Sequence, residues 1–253
     1  MASRPSALLA ALAALLLAAP AGANRAEHKP VAARPVMDYV PPPAGSYTLQ
    51  VIQQAPDGQV VGRDGLQHRL SDYTRGRITL LSLIYTYCSE PTGCALAYEA
   101  GVEVKQRIVA DKRLHGRAQF VSLSFDPIND SHDAMRAYGS AHAASGGPLP
   151  WQFLTTRSMR ALQPILEGFG QDIEVERDAQ GRATRTITHM LKLFLIDRRG
   201  RVREIYTTEF LHPEAMLNGS RKRPVATASP RAKALRMRAS CGSLCVKPFT
   251  AIR

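Results

Sequence analysis

The sequence predicts an α/β fold, a central mixed sheet flanked by helices, with a hairpin extension on its N-terminal side. Three observations carry that prediction. Residues 78–85 and 119–125 are nearly continuous apolar runs of strand length, the pattern of strands buried on both faces. Between them, Leu96, Ala100, Val104 and Ile108 recur every four residues, as on one face of a helix. A further apolar run at 191–196 closes on the turn Asp197-Arg198-Arg199-Gly200. Strands alternating with helices define a layered α/β domain.

In chain order, residues 47–51 and 59–62 read as the two arms of the small hairpin. The strand at 78–85 follows Arg75-Gly76-Arg77 and leads through a cysteine-containing loop into a helix over 96–114. After the strand at 119–125, Asp130 and Ser131 are residues of helix-capping type for a helix reaching about Ala143. Residues 151–154 form a short strand, and 158–168 a helix bent or interrupted at Pro164. Residues 173–188 read as a hairpin around Asp178-Ala179-Gln180-Gly181. The strands at 190–196 and 202–206 pair across the turn at 197–200, and a last helix covers 211–218, with His212-Pro213 marking its start.

The body is therefore one domain over 46–218. The whole chain of 253 residues carries a formal net charge of +12, which would suit a nucleic-acid or acidic-lipid partner if it lay on the folded part. It does not: residues 219–253 hold nine basic residues and no acidic one, whereas 46–218 hold 20 basic and 19 acidic. A near-neutral body with interspersed charges speaks against nucleic acid. The basic tail reads as disordered, so contact with a membrane surface falls to the termini. A hydrophobic fraction of 45% excludes a chain disordered throughout, and no internal stretch approaches the roughly 20 apolar residues of a spanning helix.

Upstream, Arg4, the apolar run 7–19, Pro20 and Ala21-Gly22-Ala23 form the three parts of a signal peptide over 1–23, with cleavage after Ala23. The apolar run is shorter than a membrane span, which favours release over anchoring. With no Arg-Arg pair and no cysteine after the cleavage site, the signal is Sec-type and the destination periplasmic. Residues 24–45, with Pro30, Pro35, Pro41, Pro42 and Pro43, read as an extended linker.

An oxidising compartment frames the four cysteines. Cys241 and Cys245 lie in the basic tail; Cys88 and Cys94 lie between the first buried strand and its helix. One reading of this pair is a structural disulfide, since five intervening residues allow the chain to fold back. The other is chemical. In this thioredoxin-like placement Cys94 sits at or near a helix N-terminus, where unpaired N–H groups and the helix dipole stabilise a thiolate. His189 precedes the strand 190–196, whose N-terminal end faces the cysteine loop in such a sheet, where thioredoxins place a cis-proline. Two thiolates and an imidazole form a soft three-coordinate set suited to Cu(I) and able to accept Cu(II). Other residues read as structural. Asp126 and Asp130 end a strand and cap a helix, Glu90 is solvent-exposed, and His132 and His142 are solvated. Strand alternation turns Met190 away from the side of His189.

The strand Leu80-Leu-Ser-Leu-Ile-Tyr-Thr-Tyr-Cys88, the second cysteine Cys94, the segment Val121-Ser-Leu-Ser-Phe-Asp126-Pro127-Ile-Asn-Asp130, the strand Trp151-Gln-Phe-Leu-Thr155, and His189 followed by Phe194-Leu-Ile-Asp-Arg-Arg-Gly200 come in a familiar order. In them, over roughly residues 60–217, the chain resembles the SCO/SenC family of thioredoxin-like copper proteins. The resemblance implies copper, Cu(I) or Cu(II), held by Cys88, Cys94 and His189, with Asp126 the nearby acidic residue and Cys88/Cys94 a redox-active pair. It implies a copper-acceptor partner such as a cytochrome c oxidase subunit, whose binuclear copper site the family helps to metallate, and a periplasmic thiol reductant. The chain departs from the family pattern in having five residues between its cysteines instead of three, and Ala95 in place of a proline after the second. The alternative is a metal-independent thiol–disulfide oxidoreductase using the same pair. The Pro-x-x-x-Thr-x-x-Cys pattern of peroxiredoxins is absent, with Leu81 and Tyr85 at the Pro and Thr positions.

Overall fold

The computed structural model describes residues 39–221, except 89, 91, 92, 142–146 and 148. The signal peptide, linker residues 24–38, His142, the tail beyond 221 and Cys241 and Cys245 lie outside the described residues. In chain order the elements are β1 (Gln53–Gln54), β2 (Gln59–Val61), β3 (Gln67–Arg69), α1 (Leu70–Thr74), β4 (Ile78–Ile84), α2 (Cys94–Ala110), β5 (Ala118–Ser124) and α3 (His132–Tyr138). There follow β6 (Trp151–Leu154), α4 (Met159–Phe169), β7 (Ile173–Arg177), β8 (Ala183–His189), β9 (Leu193–Ile196), β10 (Arg201–Tyr206) and α5 (Pro213–Arg221).

Six strands form the mixed central sheet in the order β1-β10-β9-β4-β5-β6. β4, β5 and β6 run parallel, while β9 is antiparallel to β4 and β10 to β9. The continuous apolar runs sit where they must: every residue of β5 and all but the first of β4 are buried, because helices cover both faces of the parallel part. The few polar side chains there are paired. Ser82 and Ser122 hydroxyls lie 3.1 Å apart, and the Trp151 indole N–H donates to Ser122 Oγ at 3.0 Å. Helix α2 turns Leu96, Ala100, Val104 and Ile108 into this core as the spacing predicts, together with Ala97, Tyr98 and Gly101.

The structure corrects several boundaries. A small N-terminal hairpin is present, but its arms are β2 and β3. Residues 47–51 form no strand, and β1 instead pairs with β10, Gln53 opposite Val202. The turn decides the matter: Asp64 Oδ1 accepts from the Leu66 N–H at 3.0 Å, and Gly65 adopts a φ of 76°, a local device that closes 59–61 onto 67–69. Helix α3 ends at Tyr138, well short of Ala143, and its cap is Ser131 alone, whose hydroxyl accepts from the Ala134 N–H. Helix α4 runs through Pro164 without interruption, because Leu162, Ile165, Leu166 and Phe169 bury one side of it. α5 continues to Arg221, where an ion pair with Asp111 at 2.9 Å holds its last turn. Residues 219–221 thus belong to the domain and not to the tail.

Candidate metal centre

The site forms at the C-terminal edge of β4. Beyond Ile84 the chain turns through Tyr85, Thr86 and Tyr87 to Cys88, and one buried carboxylate fixes that turn. Asp130 accepts from the Thr86 N–H at 2.9 Å, from the Thr86 hydroxyl, and from the Ser124 hydroxyl at 2.6 Å, tying the cysteine loop to the end of β5. Burial pushes its carboxyl above the ordinary range, against these donors. Asp130 reaches the loop because a tight turn starts at Asp126. The Asp126 carbonyl accepts from the Asp130 N–H at 2.8 Å, and its carboxylate accepts from the Asn129 amide at 2.8 Å. Asp126 is buried and stays occupied with that turn.

Cys94 is the first residue of α2 and is fully buried, while Cys88 is half-buried. β8 delivers His189 to the same point. One ligand atom from each of Cys88, Cys94 and His189 lies within 4.8 Å of the others, and both thiols are free. His189 Nε2 stands 3.6 Å from Cys94 Sγ, and Nδ1 stands 3.0 Å from the Ile187 carbonyl. A carbonyl only accepts, so Nδ1 carries the proton and the Nε2 lone pair faces the sulfurs. Phe125 and Tyr85 wall the imidazole, with ring centroids at 4.8 and 5.7 Å. Gly93 leaves little room for a side chain here, because a Cβ on it would lie 3.3 Å from Cys88 Sγ and 3.2 Å from Glu90 Cβ.

The acidic thiol is not the one the helix N-terminus suggests. Burial pushes the Cys94 thiol well above its usual range. Cys88 is drawn down to about 6, chiefly by the hydrogen bond from Cys94, with burial opposing. A helix dipole acts on a thiol only as far as burial permits, and Cys94 is 1% exposed.

Among the described residues no other set of three His, Cys, Asp or Glu converges in this way. Glu90 is exposed and outside the group, as is Met190. The strand expected at 190–196 begins only at Leu193, so His189 ends β8 instead of preceding β9 directly. His132 lies 3.5 Å from Asp133, and His212 Nδ1 accepts from the Glu214 N–H, capping α5. Tyr85, Thr86 and Phe125, which shape the site, carry no ligand or redox chemistry that marks them in the sequence. Their signal is position alone, at the ends of two buried parallel strands.

Fold and site together define a thioredoxin-like protein with a Cys2His group of soft donors. The SCO1/SenC family model matches residues 59–223, and the chain belongs to that family. Among solved structures it is similar to the copper-bound ScoI of Bradyrhizobium japonicum, at 18% identity and a TM-score of 0.51 over 65% of this chain and 95% of that one. A SCO1/SenC family lipoprotein of Bacillus anthracis matches at 19% identity and 0.53, over 68% and 95%. Yeast Sco1 with copper bound matches at 12% and 0.52, over 72% and 98%. No curated protein matches the sequence. Two of these structures hold copper, and this chain brings two thiols and an imidazole within 4.8 Å of one another.

Proposed function

We propose that the protein is a periplasmic copper chaperone, exported by the signal at 1–23, that delivers copper to cytochrome c oxidase or a related copper enzyme. The observation that carries this reading is the convergence of Cys88, Cys94 and His189 within 4.8 Å, with Nδ1 tied to a carbonyl so that Nε2 is left to bind. Such a soft donor set takes Cu(I) and tolerates Cu(II). The reduced pair captures the ion and His189 closes the site. A docked acceptor then replaces the three ligands one at a time with its own thiolates. Where the acceptor site is a disulfide, exchange through a mixed disulfide oxidises Cys88 and Cys94 to their own disulfide. The two electrons reduce the acceptor to two thiols, with the protons passing from one dithiol to the other. A periplasmic thiol reductant resets the pair.

The test is titration of the reduced protein with Cu(I) against a competing chelator. One equivalent is taken up, and His189→Ala lowers the affinity by more than the roughly 10- to 100-fold that loss of an outer-sphere partner costs. No uptake, or an unchanged affinity in the variant, overturns the reading. The closeness of the two free sulfurs also favours metal-independent dithiol chemistry. That second reading expects disulfide reduction faster than by a small thiol and unaffected by a copper chelator or by His189→Ala. Export is checked by fractionation: deletion of 2–23 retains the protein in the cytoplasm.

A further inference from the structure

His189 sits at the end of a hairpin that is no part of the six-stranded sheet, since among the described residues β8 pairs only with β7. No ladder hydrogen bond therefore sets its end against Cys94, and side chains must do so. Successive residues of a strand point to opposite faces, so Arg185, Ile187 and His189 share one side of β8. That side meets the cysteine loop at three points. Arg185 lies 4.2 Å above the Tyr87 ring, the Ile187 N–H donates to the Tyr85 hydroxyl at 3.3 Å, and His189 approaches Cys94. The middle contact is the informative one. Ile187 gives its N–H to Tyr85 and its carbonyl to His189 Nδ1, so the residue that fixes the imidazole is itself fixed by a buried phenol. The Tyr85 ring, 3% exposed, also stands edge-on to the imidazole at 5.7 Å.

We propose that Tyr85 is a positioning residue whose hydroxyl, acting through Ile187, sets the tautomer and direction of His189. This rests on the chaperone reading for its consequence, but the positioning itself precedes any metal. Tyr85→Phe keeps the ring and removes the hydroxyl with its bonds to the Ile187 N–H and to Cys88, so the His189 tautomer is the readout that isolates the Ile187 route.

The experiment measures the His189 ring nitrogens by NMR in the reduced, metal-free protein, alongside Cu(I) affinity by chelator competition. The wild type shows Nδ1 protonated and Nε2 bare. In Tyr85→Phe the two tautomers mix, the Ile187 amide exchanges faster, and Cu(I) affinity falls about 10-fold. A variant that keeps the wild-type tautomer overturns the proposal whatever its stability or affinity, because packing or the hydroxyl's bond to Cys88 then accounts for any loss. If the variant does not fold, the wild-type spectrum decides: an Nε2-protonated His189 overturns it. A wild type that shows the expected tautomer but takes up no copper refutes the chaperone reading and leaves the positioning intact.

Discussion

The two ends of β4 and β9 treat polar groups in opposite ways. At the end remote from the cysteines, Asp197 accepts from the backbone N–H groups of Arg199 and Arg201 at 2.9 and 3.1 Å, from the Arg201 guanidinium at 2.7 and 2.9 Å, and from Arg203 at 2.9 Å. Arg203, 9% exposed, donates from its other two nitrogens to the carbonyls of Leu49 and Gln50. A buried charge survives only when paired in this manner, and here it pins the chain before β1 to β10. At the other end, the donor atoms of Cys88, Cys94 and His189 converge on one another, with Cys88 accepting from Cys94, while behind them Asp130 accepts from Thr86 and the Ile187 carbonyl accepts from His189 Nδ1. Complete mutual satisfaction builds structure. Donor atoms held together with lone pairs facing one point build a binding site.

Mirror-image substitutions test that contrast most severely. Cys88→Ser removes a half-buried donor, so Cu(I) uptake disappears while the unfolding free energy measured in urea changes by no more than about 1 kcal/mol. Asp197→Ala strands the Arg203 guanidinium and costs about 3–5 kcal/mol of stability, with Cu(I) affinity unchanged. Chelator competition and urea unfolding on both variants give the four numbers. If Asp197→Ala weakens copper binding as much as it weakens the fold, the two ends are not separate in function.

Acid titration separates the ends by sign. Burial raises Asp197, but the bonds from Arg201 and Arg203 outweigh it and leave the carboxyl below its ordinary value of 3.8. Its stabilisation is present above about pH 4 and is lost as the pH falls through the lowered folded value, where the unfolded chain already binds the proton. Asp130 is shifted the other way, upward by burial in spite of Ser124 and Thr86. Between 3.8 and its raised value the folded state holds the extra proton, so its contribution to stability grows as the pH falls through that window. Urea midpoints followed from about pH 3 to about pH 7, on either side of the ordinary Asp value, therefore change differently in the two variants. Asp197→Asn flattens the acid-side loss, and Asp130→Asn removes the opposing gain. Equal slopes would mean that the two carboxyls share one environment.

How much of this the sequence discloses depends on the range of the forces involved. Apolar runs and four-residue spacing specify β4, β5, β6 and α2, because burial on both faces or on one leaves a periodic trace. Cys88, Cys94 and His189 are legible as a set because their chemistry is rare and the fold class assigns each an address. The N-terminal hairpin is legible and 59–61 is one of its arms, but the other arm is 67–69 and not 47–51, since Asp64-Gly65 outweighs alternation in deciding which arms meet. The order of the two thiol acidities is also hidden: a helix N-terminus is visible in sequence, whereas the burial of Cys94 that overrides it is tertiary. The Tyr85–Ile187 contact spans about a hundred positions between a sheet strand and a detached hairpin, and no periodicity announces it.

The smallest effect concerns the outermost contact of that hairpin, and it is compared best with its counterpart at the remote end. Arg203 and Arg185 both reach across to another segment, but Arg203 is buried and bonded through every nitrogen, whereas Arg185 is exposed and lies over Tyr87, itself 51% exposed. A cation over an exposed ring contributes about 0.5–1 kcal/mol. Arg185→Ala therefore leaves the urea midpoint almost unmoved, since opening the hairpin exposes little of the core. It does favour hairpin conformations in which His189 has left Cys94, and the same energy corresponds to an increase of about two- to fivefold in the rate of copper release. Stopped-flow transfer to a chelator measures that rate. An unchanged rate would show that Tyr85 and the His189 contacts hold the arm without help from its rim. A change far larger than fivefold would make the rim, and not the buried phenol, the principal restraint on His189.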